Sequence, residues 1–596
     1  MKIALAQINP TVGDFAGNTR LILDFKDRAA DLGVDLVVFP ELCICGYPPA
    51  DLLEKTSFLE RAGEALGQIA AQTTSGLAII CGTALPAGSD DGRHSEGKRA
   101  RNVAALLSGG RVSFLQQKML LPFYDVFDEQ RYFEAATHQS LSMLGGQPLA
   151  ITVCEDAWND KSFWPRRLYR VDPVDELMRQ WATLPDPIAV HPRLILNISA
   201  SPFWCGKRLL RRKMLSAIAR RHNAFVVMVN QVGGNDSLIF DGSSIVIDPS
   251  GEVMAQAASF REDLVVFHTD MFERSRLNAA GRRSSEESSD TIAAEVVAPD
   301  HSWPVSEFDC EETAATWNAL VLGTRDYVRK CGFSKALVGL SGGIDSALVA
   351  TLAVEALGSE NVLGVGMPSE FSSAGSIDDA RALAQNLGIR FELVAIQDVF
   401  KQYQSTLEPL FAGTPFGLAE ENLQSRIRGA LLMALSNKFG ALVLTTGNKS
   451  EMSTGYCTLY GDMVGALAVI GDVYKTRIYA LSRYANRDHE VIPHNTIEKP
   501  PSAELRPGQK DTDSLPPYDV LDPILEAYVE RYCSPEQILS ERTAAGAAVD
   551  LALIRRVLSL VERSEYKRQQ AAPVLKVTQK SFGNGRRFPI AVKVEL

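Results

Sequence analysis

One short run of residues constrains the fold of the second half of the chain more than any other feature. The apolar run 336–340 predicts a buried parallel strand, and residues 347–357 predict a helix. Between them lies the turn Ser341-Gly-Gly-Ile-Asp-Ser346. A strand, a tight turn and a helix N-terminus present backbone N–H groups and the positive end of a helix dipole to an anion. The sequence therefore predicts an α/β sheet with an anion site where this strand ends.

The residue types in this turn suit phosphate. Gly342 and Gly343 let the backbone approach phosphate oxygens closely, and Ser341 and Ser346 add hydroxyl donors. Asp345 would repel a phosphate unless a cation lay between them, so its presence predicts Mg²⁺. The sequence contains no GxxxxGK[ST] motif, which disfavours a Walker-type nucleotide hydrolase.

Composition limits the class of protein. A chain of 596 residues is too long for one core and indicates about two to four domains. The net charge of −11 argues against a general nucleic-acid binder. Nine scattered cysteines without a CxxC pair are typical of reduced thiols, the N-terminus begins directly with a predicted strand, and no apolar run reaches the length of a membrane span. We therefore expect a cytoplasmic protein with no membrane or nucleic-acid partner.

The first half alternates strands with helical stretches, which predicts a layered α/β domain. An amphipathic stretch at 18–32 separates the first two strands. The predicted strands are 2–8, 36–39, 78–82, 103–108, 112–117, 148–153, 194–198, 225–229 and 244–247.

Three chemically distinctive residues each follow one of these strands: Glu41, Lys118 and Cys154. Taken singly, they could be a solvated glutamate, a surface lysine and a buried cysteine. Amide hydrolysis by a thiol, however, requires a nucleophile with a base at hand. In order and local context, within Phe-Pro-Glu-Leu, Lys-x₃-Pro and Val-Cys-Glu-Asp, the three resemble the Glu–Lys–Cys triad of the nitrilase family.

This resemblance implies an αββα sandwich and a role for each residue. Glu41 would take the thiol proton and return it to departing ammonia. Lys118 would lower the thiol pKa of Cys154 and stabilise the tetrahedral oxyanion. Glu129 resembles the glutamate that orients the lysine. In glutaminase members of the family, the residues that hold the glutamine substrate would be Tyr124, Glu129, Ser201 and Lys207.

A polar stretch at 282–290 and a proline-bearing stretch at 298–308 predict a connection between two domains. We therefore predict a nitrilase-like domain at 1–272, a linker at 273–310 and a second domain at 311–596.

The second half continues with alternating strands and helices. Strands predicted at 361–367, 390–395 and 441–445 complete a doubly wound parallel sheet, in which ligands bind beyond the C-terminal strand ends. The motifs that follow the Ser/Gly turn are ENLQSRIRG at 421–429, TGNKSE at 446–451, YGDMVG at 460–465, GDVYKT at 471–476 and KPPSAEL at 499–505.

The Ser/Gly turn resembles the pyrophosphate loop of the N-type ATP pyrophosphatases, and the whole series resembles the NAD⁺ synthetases over nearly all of 313–596. One departure lies at 466–470, where Val469 replaces the proline of many relatives. The resemblance implies ATP binding by Ser341, Gly342, Gly343, Asp345, Ser346 and Thr446. It implies deamido-NAD⁺ binding by Asn422, Arg428, Asp462, Lys475 and Lys499, and Mg²⁺ binding by Asp345 and Glu451.

The two halves together resemble the glutamine-dependent NAD⁺ synthetases. The resemblance implies small-molecule substrates (glutamine, ATP and deamido-NAD⁺), Mg²⁺ as cofactor and a homo-oligomeric assembly. Three alternatives remain: an amidotransferase with the same pyrophosphate loop acting on another carboxylate, a non-catalytic scaffold, and a free-standing nitrilase with a nucleotide-sensing domain. The complete triad argues against the scaffold, and the ENLQ, TGNKSE and KPPSAEL strings argue against another acid substrate.

Overall fold

The computed structural model describes residues 1–87, 98–185, 191–269 and 312–594. The chain forms two compact units, one comprising 1–235 and 240–310 and the other 236–239 and 311–596. The linker predicted at 273–310 lies outside the described residues, so the boundaries at 272 and 311 stay predictions.

The described residues up to 269 form two six-stranded sheets and a two-stranded ribbon. The strands are β1 (Lys2–Gln7), β2 (Leu36–Val38), β3 (Ala78–Pro86), β4 (Ala100–Ser108), β5 (Arg111–Gln117), β6 (Ser142–Leu144), β7 (Gln147–Val153), β8 (Leu194–Ser199), β9 (Phe225–Asn230), β10 (Val232–Asn235), β11 (Leu238–Asp241), β12 (Ile245–Ile247), β13 (Val253–Gln256) and β14 (Asp263–His268). Their orders are β14-β1-β2-β3-β4-β5, β13-β12-β9-β8-β7-β6 and β10-β11. The helices are Phe15–Asp31, Thr56–Ala71, Glu129–Tyr132, Pro173–Ala182 and Lys207–His222.

The central strands of this unit are apolar on both faces because both faces are covered. Along β8, Leu194, Leu196 and Ile198 join a core shared with the other sheet, whereas Ile195 packs into a second cluster with the helices 173–182 and 207–222. Helix 56–71 packs on β3, β4 and β5 of the first sheet, and helix 15–31 packs against helix 56–71. The layer order is helix, sheet, sheet, helix, which confirms the predicted αββα sandwich.

The second unit contains one parallel sheet. Its strands are β15 (Ala336–Gly339), β16 (Val362–Gly366), β17 (Arg390–Leu393), β18 (Leu442–Thr445) and β19 (Leu467–Ala468), in the order β17-β16-β15-β18-β19. Every neighbouring pair is parallel. The chain moves outward from β15 in one direction and then returns to place β18 on its other side. The Ser/Gly turn therefore follows the central strand at the point where the strand order reverses, where doubly wound sheets bind ligands.

The helices of the second unit cover this sheet and extend beyond it. They are Glu312–Lys330, Ile344–Leu357, Ala374–Leu387, Gln397–Phe411, Leu418–Phe439, Lys449–Thr454, Lys475–Ala485, His494–Glu498, Tyr518–Val529, Pro535–Ala544, Leu551–Arg563 and Glu565–Arg568. The helices from 518 onward pack into a core around Leu521, Ile524, Ile554 and Leu558, which Met452 and Ala468 also join.

The predicted strands of both halves are present within a few residues of their expected bounds, but five strands of the first unit were missed. One of them, β14, pairs antiparallel with β1 in the register Lys2↔His268. A pairing between residues so distant in sequence leaves no local signal. In the part of the chain that the structure describes, no helix combines the length and the apolar character needed to cross a membrane.

Candidate active sites

The backbone of Glu41 packs directly against Gly82 of β3, and this contact positions the Glu41 side chain. A Cβ atom added to Gly82 would lie 2.7 Å from the Cα of Glu41 and 2.3 Å from the backbone nitrogen of Leu42. The same segment is held by two backbone hydrogen bonds, from Gly82 N to Pro40 O at 3.1 Å and from Ile44 N to Gly82 O at 3.2 Å. Glycine at position 82 is therefore a condition for placing the Glu41 side chain.

The Lys118 side chain is fully buried between two glutamates. Its Nζ donates to Glu41 Oε1 at 2.7 Å and to the two carboxylate oxygens of Glu129 at 2.9 and 2.8 Å. Two further donors fix the glutamates: Asn102 Nδ2 reaches Glu41 Oε1 at 2.7 Å, and the Tyr47 hydroxyl reaches Glu129 Oε1 at 2.9 Å. A buried ammonium requires such anionic partners, so the predicted grouping of Glu41, Lys118 and Glu129 has a physical basis.

Cys154 follows β7 in a sharp turn, with a left-handed φ of 43°. Only a few per cent of non-glycine residues adopt this conformation, and it is frequent at functional sites. The turn is held by Asp156, whose carboxylate accepts from Val153 N and from the backbone nitrogens of Met119 and Leu120. The residues after Lys118 and those around Cys154 are thereby fixed to each other.

Electrostatics in this site favour a protonated resting thiol. Burial raises the pKa of the Cys154 thiol well above its ordinary value, Glu41 raises it further, and Lys118 lowers it. Burial lowers the pKa of Lys118, but Glu129 and Glu41 outweigh burial and raise it well above the usual range. The predicted effect of Lys118 on Cys154 thus has the expected sign, but burial and Glu41 outweigh it. The thiol therefore needs a base, and Glu41 is the candidate.

The residues predicted to hold glutamine surround this turn. The Tyr124 hydroxyl donates to both oxygens of Glu155, at 3.1 and 3.0 Å, and the Tyr169 hydroxyl donates to one of them at 3.1 Å. The hydroxyl oxygen of Ser201 is buried and has no hydrogen-bond partner among the described residues. Lys207 Nζ donates to the carbonyl of Pro202 at 2.8 Å.

Sequence reasoning missed two polar residues of this site. Glu155 is buried directly after Cys154, and its position next to the nucleophile was the signal that could have identified it. Asn102 lies within β4, between Arg101 and the apolar run 103–107, and an amide next to such a buried run was the signal that could have identified it.

In the second unit, the Ser/Gly turn is closed by its own hydroxyls. Ser341 N donates to Ser346 Oγ at 3.3 Å, and Ser346 Oγ donates to Gly343 O at 3.0 Å. Gly342 has a φ of 78°, and a Cβ there would lie 2.1 Å from the backbone oxygen of Ser376. Helix 344–357 begins directly after Gly343, so its N-terminus faces the space above β15.

Asp345 and Glu451 interact closely with each other and with Lys475. Asp345 accepts from Lys475 Nζ and, at 3.0 Å, from Asn448 Nδ2. Burial raises the pKa of Glu451 well above its ordinary value, and Asp345 raises it further, whereas Lys475 lowers it. Two carboxylates that repel each other at one place are a candidate site for a cation, and their assignment to Mg²⁺ stays a prediction.

These groups face a pocket of about 330 Å³ at the C-terminal end of the sheet. Among the residues predicted to bind ATP, deamido-NAD⁺ or metal, those that line it are Ser341, Gly343, Asp345, Ser346, Arg428, Thr446, Glu451, Asp462, Lys475 and Lys499. Burial raises the pKa of Asp462 to about 6 and lowers the pKa of Arg428 to about 10. The motifs predicted from sequence therefore meet around one cavity.

Two predicted residues are not among those that line the pocket in the described part of the chain. Gly342 packs against Ser376, as above. Asn422 lies in helix 418–439 and accepts a hydrogen bond from the Thr458 hydroxyl at 2.8 Å. Their assignments to ATP and deamido-NAD⁺ stay predictions.

Two charged residues of the motifs hold the fold together. Lys449, in TGNKSE, is fully buried, and its Nζ lies 2.9 Å from Asp472 Oδ1 and 2.7 Å from Glu530 Oε1. Asp472, in GDVYKT, accepts from the backbone nitrogens of Val577 and Thr578 at 2.8 and 2.7 Å. This buried network joins both motifs to the C-terminal segment of the chain.

Two family models match separate parts of the chain. A carbon–nitrogen hydrolase model matches residues 2–172 and 187–275, and an NAD synthase model matches residues 316–571. The first match contains Glu41, Lys118 and Cys154, and the second contains the Ser/Gly turn and the pocket.

Relatives match over the whole length. A glutamine-dependent NAD(+) synthetase of Synechocystis sp. is 47% identical over 99% of this chain and 98% of its own, and that of Thermotoga maritima is 43% identical over the same shares. The chain belongs to the glutamine-dependent NAD⁺ synthetases. Among solved structures, the glutamine-dependent NAD⁺ synthetase of Acinetobacter baumannii in complex with ADP has a TM-score of 0.71 and 36% identity over 99% of this chain and 98% of that one.

Membership in the glutamine-dependent NAD⁺ synthetases confirms the family predicted from the motifs. In this member of the family, the complete Glu–Lys–Cys triad and the complete Ser/Gly turn lie in different units, each within the family model that corresponds to it.

Proposed function

We propose that the chain hydrolyses glutamine in its first unit and uses the ammonia in its second unit to convert deamido-NAD⁺ to NAD⁺, with ATP cleaved to AMP and pyrophosphate. The observation that carries the proposal is the burial of Lys118 between Glu41 and Glu129, near the Cys154 turn. The same chain also contains the complete Ser/Gly turn.

In the first unit, Glu41 takes the proton of Cys154, and the thiolate attacks the amide carbon of glutamine. Lys118 stabilises the negative charge that develops on the amide oxygen. The carbon–nitrogen bond breaks, and ammonia leaves with the proton from Glu41. Water, activated by Glu41, then hydrolyses the thioester, giving glutamate and the free thiol.

Glutamine recognition rests on the groups around Cys154. Glu155 is a buried carboxylate beside the nucleophile, and two tyrosine hydroxyls hold it in place. An α-ammonium group is the complement of such a carboxylate. The buried hydroxyl of Ser201 has no partner within the described residues, which suits it to a polar group of the substrate. We assign Tyr124 and Glu129 to positioning Glu155 and Lys118, respectively, and Lys207 to the wall of the glutamine site.

In the second unit, a nicotinate carboxylate oxygen attacks the α-phosphorus of ATP, and pyrophosphate leaves. Ammonia then attacks the acyl carbon, and AMP leaves, so that the amide of NAD⁺ forms. The Ser/Gly turn and the N-terminus of helix 344–357 bind phosphate oxygens, and Lys475 and Lys499 neutralise further negative charge along the pocket. Arg428 and Asp462 lie on the pocket wall, where they would contact deamido-NAD⁺.

Asp345 and Glu451 suit Mg²⁺, because both are carboxylates, they interact closely, and the cation would relieve their repulsion. Bound there, Mg²⁺ would compensate the charge that develops on pyrophosphate. Lys475 pairs with Asp345 at the same place and would add a positive charge for phosphate oxygens.

The proposed function also includes a cytoplasmic location and self-association of the chain. Three large apolar side chains close together in sequence support self-association: Leu410, Phe416 and Leu418 are 79%, 50% and 70% exposed. Light scattering of the purified protein at several concentrations would measure its mass directly.

Product analysis tests the enzymatic proposal. Glutamine, ATP, Mg²⁺ and deamido-NAD⁺ are supplied together and then each is omitted in turn. We expect AMP and NAD⁺ in equal amounts only when all four are present, with ammonium salt able to replace glutamine. AMP formation with another carboxylic acid in place of deamido-NAD⁺ would instead favour a different amidotransferase.

A further inference from the structure

Asn102 contacts two members of the Glu–Lys–Cys triad at once. Its side-chain Nδ2 donates to Glu41 Oε1 at 2.7 Å, and its backbone oxygen accepts from Lys118 N at 2.9 Å. The residue is fully buried in β4, where its neighbours Val103 and Ala104 are apolar. A polar side chain at such a position requires an explanation.

Packing alone does not explain this amide. The Oδ1 atom of Asn102 is buried and has no hydrogen-bond partner among the described residues, which destabilises the folded state. A leucine of similar volume would fill the same space without an unpartnered oxygen. The orientation of the amide is fixed by its partner, because a carboxylate oxygen accepts from a donor and repels a carbonyl oxygen.

The hydrogen bonds to Glu41 distinguish its two oxygens. Oε1 accepts from both Asn102 and Lys118, whereas Oε2 accepts from the backbone nitrogen of Ala200 at 2.9 Å. Oε2 therefore retains the capacity to accept one more proton. Lys118 cannot fix Glu41 by itself because it also binds both oxygens of Glu129. Asn102 donates to Glu41 without such competition.

We propose that Asn102 is a positioning residue for the general base: it holds Glu41 by Oε1 and leaves Oε2 as the oxygen that receives the Cys154 proton. The inference rests on the proposed glutaminase function. Five ionisable groups interact electrostatically with Glu41, and all of them stay unchanged in the test below. They are Lys118, Glu129, Cys154, Tyr47 and Cys45.

The test measures glutamate release against pH for two isosteric variants of the full chain. In Asn102→Leu the anion of Glu41 loses a donor, so we expect the acid limb of the kcat/KM profile to move to higher pH and kcat to fall about 10- to 100-fold. In Asn102→Asp the new carboxyl can donate only while it is protonated. Above its ionisation two anions face each other, so activity should decline with rising pH and the optimum should move to lower pH.

Gln147→Met is the matched control, since it removes another buried amide of the first unit, whose Nε2 donates to the backbone oxygens of Pro148 and Pro192. We expect this variant to lose thermal stability while keeping the wild-type pH profile. A wild-type pH profile of glutamate release in both Asn102 variants would overturn the inference. If Asn102→Leu does not fold, an unshifted pH optimum in Asn102→Asp alone would overturn it. Absence of glutamate release by the wild-type protein would instead refute the proposed function.

Discussion

Gly82 and Glu41 approach so closely that the added Cβ of an alanine at position 82 would meet the backbone of Glu41 at 2.7 Å. Backbone atoms cannot move aside as a flexible side chain does, so the loop that carries Glu41 would have to shift. Glycine at this position therefore contributes directly to the geometry of the triad, although it has no side chain that could contact a substrate.

Gly82→Ala should lower glutamine-dependent NAD⁺ formation about 100-fold, because displacing a general base by about 1 Å has an effect of that size. Ammonia-dependent synthesis by the same preparation should be retained. Gly67→Ala is the control: Gly67 lies within helix 56–71, and an added Cβ there would meet nothing within 4 Å. Full glutaminase activity in Gly82→Ala would contradict this account.

Glu41→Gln removes both the proposed base and the negative charge that acts on Cys154, and these two losses have different measurable effects. Since the Glu41 charge raises the pKa of the Cys154 thiol, removing it should lower that pKa, and the thiolate should form at lower pH. Alkylation of Cys154 by iodoacetamide, followed by peptide mass analysis, should shift to lower pH while glutamine hydrolysis falls about 10²- to 10⁴-fold. The exposed Glu134→Gln should change neither. An alkylation curve shifted to higher pH would exclude the proposed arrangement.

Cys154→Ala should abolish glutamine-dependent synthesis completely, because no thioester can form. Loss of one sulfur hardly changes burial, so the variant should fold and still make NAD⁺ and AMP from ammonium salt at a pH where free NH₃ is appreciable. Thermal unfolding identical to wild type is the control. Synthesis from glutamine would mean that another residue is the nucleophile.

Asp345→Asn and Glu451→Gln should each reduce NAD⁺ formation about 10²- to 10³-fold while glutamine hydrolysis continues, since both carboxylates face the pocket of the second unit. The exposed Asp519→Asn, in the same unit, is the charge-matched control. Raising the Mg²⁺ concentration should partly restore activity in the two site variants. Undiminished synthesis at low Mg²⁺ would refute the metal assignment.

Lys449→Met should destabilise the protein by about 3–5 kcal/mol, because it leaves Asp472 and Glu530 buried with one fewer cation. Urea unfolding measures the change. The double variant Lys449→Met/Asp472→Asn should be less destabilised than the sum of its single changes. Strict additivity would show that the two side chains act independently.

Residues that end a strand within a distinctive motif could be predicted from the sequence. Glu41, Lys118 and Cys154 each follow a predicted strand, and functional residues often lie at the strand ends of a layered α/β domain. The Ser/Gly turn could also be predicted from the sequence, because its position between β15 and helix 344–357 favours the binding of an anion.

Other features depend on contacts between distant parts of the chain. The pairing of β14 with β1 and the hydrogen bond from Asn102 to Glu41 join residues 61 or more positions apart. Lys449 illustrates a different limit. In its motif only Thr446 and Glu451 were assigned to ligands, and burial against Asp472 gives Lys449 a structural role that no local pattern encodes.

The dependence of Asp472 on Val577 and Thr578 has a consequence for how the chain can be shortened. Residues 576–580 follow the last helix and carry no ligand-binding motif, so they would look dispensable in a deletion series. A chain ending before Lys576 would nevertheless lose two backbone donors to Asp472, and the Thr578 hydroxyl and Lys580 carbonyl that Lys449 contacts. Trimming from this end that reaches residue 580 should therefore not be tolerated.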